Sequence, residues 1–305
     1  MTIRLGLQIP NFSYGTPVSE LFPTVLAQAR EADAAGFDAV FVMDHFYQLP
    51  MLGSPDQPML EAYTALGALA TGTENVQLGT LVTGNTYRNP TLLAKIITTL
   101  DVVSGGRAVL GVGTGWFELE HTQLGFEFGT FTERFKKLDE ALQIMLPMIA
   151  GERVSFAGHY YRTEQAMAEP RFRDHIPLMI GGSGEKKTFG LAARYFDHLN
   201  IIASFAELPR KVAALHQRCE EADRDPATLE TSVLLTAIPD PKFTEDMVPP
   251  AMRGRMAVGS AEQIAETVAA NVVDAGIDGV IVNLPSSVPG SISAVGAALR
   301  DVLGT

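Results

Sequence analysis

Ala35-Gly36-Phe37-Asp38-Ala39-Val40-Phe41-Val42 near the start of the chain returns near its end as Ala275-Gly276-Ile277-Asp278-Gly279-Val280-Ile281-Val282. A looser copy, Ala193-Arg194-Tyr195-Phe196-Asp197-His198-Leu199, lies between them. The first two copies hold the end of a helical run, a glycine that stops it, an aspartate and a continuous apolar run. A glycine just past a helix adopts the left-handed conformation at no steric cost. An apolar run without alternation is a strand covered on both faces, as in a parallel sheet. The segment therefore reads as the joint between a helix and a buried parallel strand, and its recurrence predicts a chain of such units.

Working outward, strands are expected at residues 3–9, 38–43, 76–82, 107–112, 177–180, 198–202, 231–237 and 279–282. Helices separate them. Thr16 as N-cap with Pro17 at the first helical position opens one that runs to about residue 35. Further helices are expected at 60–71, 185–194, 207–223 and 292–303. Asn89-Pro90 opens another, in which Leu92, Leu93, Ile96, Ile97, Leu100 and Val103 keep a helical period. Thr130 and Glu133 have the spacing of a capping box ahead of 131–149, and Ser260 caps 261–275. Eight strand–helix units in 305 residues predict an α/β fold, a (β/α)8 TIM barrel as one domain over 1–305. Loop insertions are expected after strand four, at 114–177, and after strand seven, at 239–250. An open doubly wound sheet would need a glycine fingerprint after strand one, and Gln8-Ile9-Pro10-Asn11-Phe12 supplies none.

The chain carries 35 acidic residues against 23 Lys and Arg, a formal charge of −12. That argues against nucleic-acid binding, which needs a dense basic stripe. An anionic small molecule stays open, because backbone amides and a few local cations suffice for a phosphate. No apolar stretch is long enough for a membrane span, and the first residues read as a strand and not as a signal peptide. The one cysteine, Cys219, excludes an internal disulfide or a multi-cysteine metal site and reads as a small core residue. These features point to the cytoplasm.

A barrel of this type keeps its chemistry at the carboxyl ends of its strands. Asp44-His45 leaves strand two: a proton-handling pair, or a clamp for the Phe46-Tyr47 loop. Strand three ends in Thr83-Gly84-Asn85, a close backbone approach with polar contacts, or an ordinary loop. Strand four delivers Gly111-Val112-Gly113-Thr114-Gly115-Trp116, a ligand wall beside the only tryptophan, or plain packing. Glu118, Glu120 and His121 follow without the pattern of further ligands that a metal site needs. Strand five ends in Gly181-Gly182-Ser183-Gly184-Glu185-Lys186-Lys187, small residues before a helix N-terminus, where an anion or only a flexible turn would fit. His159, His175 and His216 read as surface or structural groups.

Taken in order, 41–46, 78–90, 100–107, 111–116 and 180–184 resemble the bacterial-luciferase-like superfamily of flavin and deazaflavin enzymes. The resemblance is nearest to its actinobacterial branch that uses coenzyme F420. It implies a homodimer holding the ring of the cofactor over the strand ends, with a non-prolyl cis peptide at Leu81–Val82 behind the ring. It further implies Asp44, Leu81, Val82, Thr83, Gly113 and Thr114 beside the cofactor and Gly181, Gly182, Ser183 and Gly184 around its phosphate. His45 becomes the catalytic group on the substrate side. Relatives that oxidise a sugar phosphate carry a glutamate after the strand-four glycines and a tryptophan four residues past the histidine; this chain has Trp116 and Leu49. Phe46, Leu49 and Trp116 then suggest a small apolar or aromatic substrate exchanging hydride with F420. Two alternatives share the barrel: an FMN-dependent monooxygenase using O2 and a partner reductase, and a non-catalytic F420- or flavin-binding protein.

Overall fold

The structure is a computed structural model that describes residues 3–285 and 288–304. Eight strands run in parallel: β1 (Leu5–Ile9), β2 (Ala39–Val42), β3 (Gln77–Thr80), β4 (Ala108–Gly113), β5 (Leu178–Gly182), β6 (His198–Ile201), β7 (Glu230–Ile238) and β8 (Gly279–Asn283). Each pairs with its neighbours in sequence, and β8 returns to β1 in the register Leu5↔Val280 to Gln8↔Asn283, which closes the barrel. Around it lie α1 (Val18–Ala34), α2 (Ala62–Gly72), α3 (Pro90–Val103), α4 (Glu118–Leu124), α5 (Phe131–Ile149), α6 (Lys187–Tyr195), α7 (Leu208–Glu221), α8 (Ala261–Val268) and α9 (Ser291–Leu303). Among the described residues no helix is long and apolar enough to cross a membrane.

The repeated joint has a physical purpose. Gly36 and Gly276 turn the chain with φ of 76° and 80°. The aspartate that follows caps a neighbouring strand. Asp38 accepts from the amides of Arg4 (2.9 Å) and Leu5 (2.8 Å), Asp197 from Leu178 (2.9 Å) and Asp278 from Thr231 (2.9 Å). The apolar residues after it divide between two cores. Val40, Leu78, Leu110, Ile180, Leu199 and Val282 face the helices, while Ala39, Phe41, Val109, Met179 and Ile281 fill the barrel. That is why these strands read as unbroken hydrophobic runs.

Five expectations need correction or refinement. Pro17 is extended (ψ 150°), so α1 starts at Val18 and Thr16 does not cap it. The segment after Ser260 is α-helical to Val268 and continues as a π-helix over Ala269–Val273. The insertion after β4 contains α4 and an antiparallel hairpin, Val154–Ala157 with Arg162–Ala166, in which Val154 and Phe156 pack on the core while the second strand is mostly exposed and carries no apolar alternation. The insertion after β7 leads into a short strand, Met256–Val258, added in parallel to β7. The third strand is also shorter than its apolar run. It stops at Thr80, passes through the cis peptide Leu81–Val82 and resumes beside β4 as Thr83–Gly84.

Candidate active site at the barrel mouth

The bulge at 81–82 is built into the barrel wall by hydroxyls and glycines. The Tyr63 hydroxyl meets Thr83 Oγ1 (2.7 Å), Thr83 meets Thr80 (2.6 Å), and Thr80 donates to the Gly111 carbonyl (3.1 Å). Burial pushes the Tyr63 phenol up to about 12, so it stays protonated as the donor at the head of this relay. The Thr83 hydroxyl, expected beside a cofactor, is fully buried within it. Gln8 Nε2 donates to the Leu81 carbonyl (3.2 Å) from β1. A Cβ on Gly111 would stand 2.0 Å from the Thr80 carbonyl, one on Gly113 2.9 Å from Val82 Cγ2, and one on Gly181 3.2 Å from Val82 Cγ1. Gly111, Gly113 and Gly181 thus make room for the bulge itself. Leu81 and Val82 remain half-buried at the mouth.

Asp44 leaves β2 with its carboxylate already engaged. Arg88 holds both oxygens (2.7 and 3.0 Å), and the Gly84 amide adds a third contact (3.0 Å). Arg88 also reaches Glu61 (2.6 Å), which caps α2. Burial pushes the Asp44 carboxyl up, against the opposing pull of the guanidinium and the Gly84 amide. The Arg88 guanidinium, although buried, is held above its ordinary value by the two carboxylates and remains the cation of the pair. This clamp ties β2 to the segment after β3, and sequence reading did not single out Arg88.

His45 behaves differently. Its Nδ1 lies 2.8 Å from Glu120 Oε2, and its side chain is 13% exposed, whereas that of Glu120 is fully buried. The same carboxylate accepts from the Tyr87 hydroxyl (2.5 Å) and from the amides of Phe46 (2.5 Å) and Tyr47 (2.9 Å). Burial pushes Glu120 up, but the His45, Tyr87 and Tyr47 contacts outweigh it and hold the carboxyl below its usual range. A buried carboxylate with this many donors stays charged. The His45 ring stands edge-on to Trp116, with centroids 5.7 Å apart, and Trp116 is 54% exposed at the rim. Phe46 packs on Tyr87 (5.0 Å) and Phe126 (5.7 Å), while Leu49 is buried with Met43 and Phe117 beneath the loop.

His121, next to Glu120, has another task. Its Nδ1 donates to the Phe117 carbonyl (2.8 Å) and its Nε2 accepts from Thr86 Oγ1 (2.7 Å). Burial lowers its pKa, so it serves as a neutral strut. Among the described residues no three His, Cys, Asp or Glu side chains converge to hold a metal.

Across the mouth, Gly182 takes φ 148° and Ser183 and Gly184 are exposed. Helix α6 then begins with Lys186 in the N-cap position and no side-chain cap, and of its first-turn amides that of Phe189 donates to the Gly184 carbonyl (3.1 Å). Lys187 turns away, its Nζ over the Phe131 ring (4.8 Å) and 3.3 Å from Thr132 Oγ1. The cation beneath the loop is instead Lys211 of α7. Its nearly buried Nζ donates to the Ser183 carbonyl (2.8 Å) and pairs with Glu185 (2.9 Å). Thr114 sits half-buried between the two halves of the mouth, its hydroxyl 3.4 Å from the Gly115 carbonyl.

The structure thus gathers Asp44, His45, Leu81–Val82, Gly113–Trp116 and Gly181–Gly184 at the strand ends. It adds Tyr87, Arg88 and Lys211, which sequence reading passed over, and Glu120, which it weighed only as a metal ligand. Glu120 alone carried a signal, since an acid directly before a histidine in a loop insertion is a candidate for chemistry.

The family described as luciferase-like monooxygenase matches residues 3–245. An F420-dependent glucose-6-phosphate dehydrogenase of Beutenbergia cavernae is 32% identical over 244 residues, 79% of this chain and 71% of the relative. One from Microbacterium testaceum is 41% identical over 158 residues, 52% of this chain and 46% of the relative. The chain spans about half the length of the first curated relatives it matches. Among solved structures, an F420-dependent secondary alcohol dehydrogenase in complex with an F420-acetone adduct superposes with a TM-score of 0.84 at 21% identity over 99% of both chains, a likeness of fold. This chain belongs to the luciferase-like monooxygenase family, and its curated relatives are named for coenzyme F420.

Proposed function

We propose that this protein is an oxidoreductase that passes a hydride between coenzyme F420 and a small apolar or aromatic organic substrate at the barrel mouth. The observation that carries the reading is His45, with Nδ1 committed to a buried carboxylate, standing beside an exposed tryptophan. The names of the curated relatives support F420 as the cofactor.

The residues present fit such a cofactor. The half-buried Leu81 and Val82 offer an apolar surface for a flat ring, with the half-buried Thr114 beside it, while Asp44 and Thr83 support that surface from within the wall. The uncapped start of α6 behind Gly181, Gly182, Ser183 and Gly184 suits a phosphate, with Lys211 below. When bound, F420 supplies a two-electron hydride acceptor or donor. The protein's own part is to orient the substrate against Trp116, with Phe46 and Leu49 behind, to exclude water, and to take or give a proton at His45. Trp116, where sugar-phosphate-oxidising relatives carry glutamate, turns the substrate class away from sugar phosphates. The same reading takes residues 1–305 as one barrel domain, homodimeric and cytoplasmic, which the family resemblance and the single, buried cysteine support.

Titration of the apoprotein with F420 and with FMN, read by fluorescence, tests this. Saturable F420 binding tighter than that of FMN is the expected result. Binding of FMN with none of F420 would transfer the protein to the oxygen-using monooxygenase reading. F420 binding without turnover, indifferent to His45→Ala, would make it a carrier.

A further inference from the structure

We propose that Glu120 is the positioning residue that sets the protonation geometry of His45, holding a proton on Nδ1 so that Nε2 is the nitrogen that exchanges a proton with substrate. The inference rests on the reading of His45 as the proton-handling group, and on four contacts to one carboxylate. The Phe46 and Tyr47 amides donate to Glu120 Oε1, while the Tyr87 hydroxyl and the His45 ring meet Oε2. Amides are obligate donors, so Oε1 must accept. The Tyr87 phenol is driven above its ordinary value by burial and by the carboxylate's charge, so it too remains a donor. Oε2 is therefore an acceptor facing His45, and the ring must answer with Nδ1–H. Nε2 has no protein partner among the described residues, and the ring stands beside the exposed Trp116.

The bookkeeping suits alcohol oxidation. With F420 bound as the hydride acceptor, oxidation of an alcohol would release the hydroxyl proton to His45 Nε2 and leave a carbonyl product. The imidazolium so formed lies 2.8 Å from a buried anion that lowers its cost. In the reverse direction the same imidazolium returns the proton. The carboxylate that relatives carry after the strand-four glycines is thus supplied one helix later, from α4, and acts through the histidine instead of on the substrate.

The test is the tautomer of His45, read by nitrogen-15 NMR of histidine-labelled apoprotein, with neither cofactor nor substrate required. The expected signature of the neutral ring in the parent protein is protonated Nδ1 and bare Nε2. In Glu120→Gln the amides of Phe46 and Tyr47 still claim the side-chain oxygen, so the new NH2 faces His45 and forces the opposite tautomer, Nε2–H. Turnover should then fall about 100-fold or more, the range of general acid–base catalysis, with F420 affinity within about twofold of the parent. Tyr87→Phe removes a donor that does not bear on the ring and should leave the tautomer unchanged. A parent His45 bearing its proton on Nε2 would overturn the proposal even if the variant failed to fold. So would a Glu120→Gln variant with the parent tautomer. Should the protein bind FMN and not F420, the function proposed above fails while the tautomer result still decides the role of Glu120.

Discussion

Replacing Gly111 by alanine puts one methyl group where the barrel wall has no space. The new Cβ would lie 2.0 Å from the Thr80 carbonyl oxygen and 3.4 Å from Val82 Cγ1. The nearer atom is backbone of the adjacent β3, so it cannot swing aside as a side-chain tip would. Gly111 lies in β4 without a positive φ, so alanine tolerates its backbone and the cost is steric. Overpacking a dense core costs about 1–3 kcal/mol, and a clash with backbone belongs at about 3. The reduced freedom of the unfolded chain returns about 0.4–1 kcal/mol. The net loss is about 2 kcal/mol, which lowers Tm by about 4 °C in a domain of this size. Gly190 is the control. An added Cβ there meets nothing within 4 Å inside α6, so Gly190→Ala should gain about 0.5–1 kcal/mol. Thermal unfolding of both variants beside the parent reads the two signs. A Gly111→Ala protein melting with the parent, while Gly190→Ala rises, would refute the argument that this glycine is required by the approach of β3 and β4.

Two further outcomes follow from the charges. Arg88→Met leaves the Asp44 carboxylate, 1% exposed, without its cation and should cost about 3–5 kcal/mol in urea unfolding; adding Asp44→Asn should recover part of that loss. Asp33 accepts from the amides of Glu74 (2.6 Å), Asn75 (2.9 Å) and Val76 (3.0 Å), and although burial pushes its carboxyl up, these amides hold it below the usual range. A depressed native pKa stabilises fully above the unfolded value of about 4 and loses that contribution as pH falls through the native value. Asp33→Asn should therefore be less stable than the parent at pH 7, with the gap closing as pH falls below the ordinary carboxylate range in pH-dependent melts.

The barrel was legible because its signals are local. A glycine ends a helix within one turn, and strand burial shows in consecutive residues, so 35–42 and 275–282 announce their joints without any tertiary knowledge. The rim was legible for the same reason: the polar residue that follows a buried run, as at Asp44-His45 or Gly181–Gly184, marks where the strand stops. The hairpin at 154–166 was not, because its apolar alternation is confined to Val154 and Phe156 and its second strand is mostly exposed and polar.

What each rim residue does was decided only in three dimensions. Asp44 and His45 are adjacent in the chain, yet one is locked to Arg88 and the other to Glu120, partners 44 and 75 residues away. Nothing local distinguishes the two, since a hydrogen-bond partner is chosen by where closure of the barrel brings another side chain. The glycines of β4 make the same point. Their spacing in the sequence announced a close approach, but only the folded wall shows the approaching group to be Thr80 and Val82. Sequence alone determined the order of the strands and the end at which chemistry gathers. Tertiary structure decided which carboxylate is a clamp and which stands behind the histidine, because long-range pairing, unlike periodicity, leaves no trace in neighbouring residues.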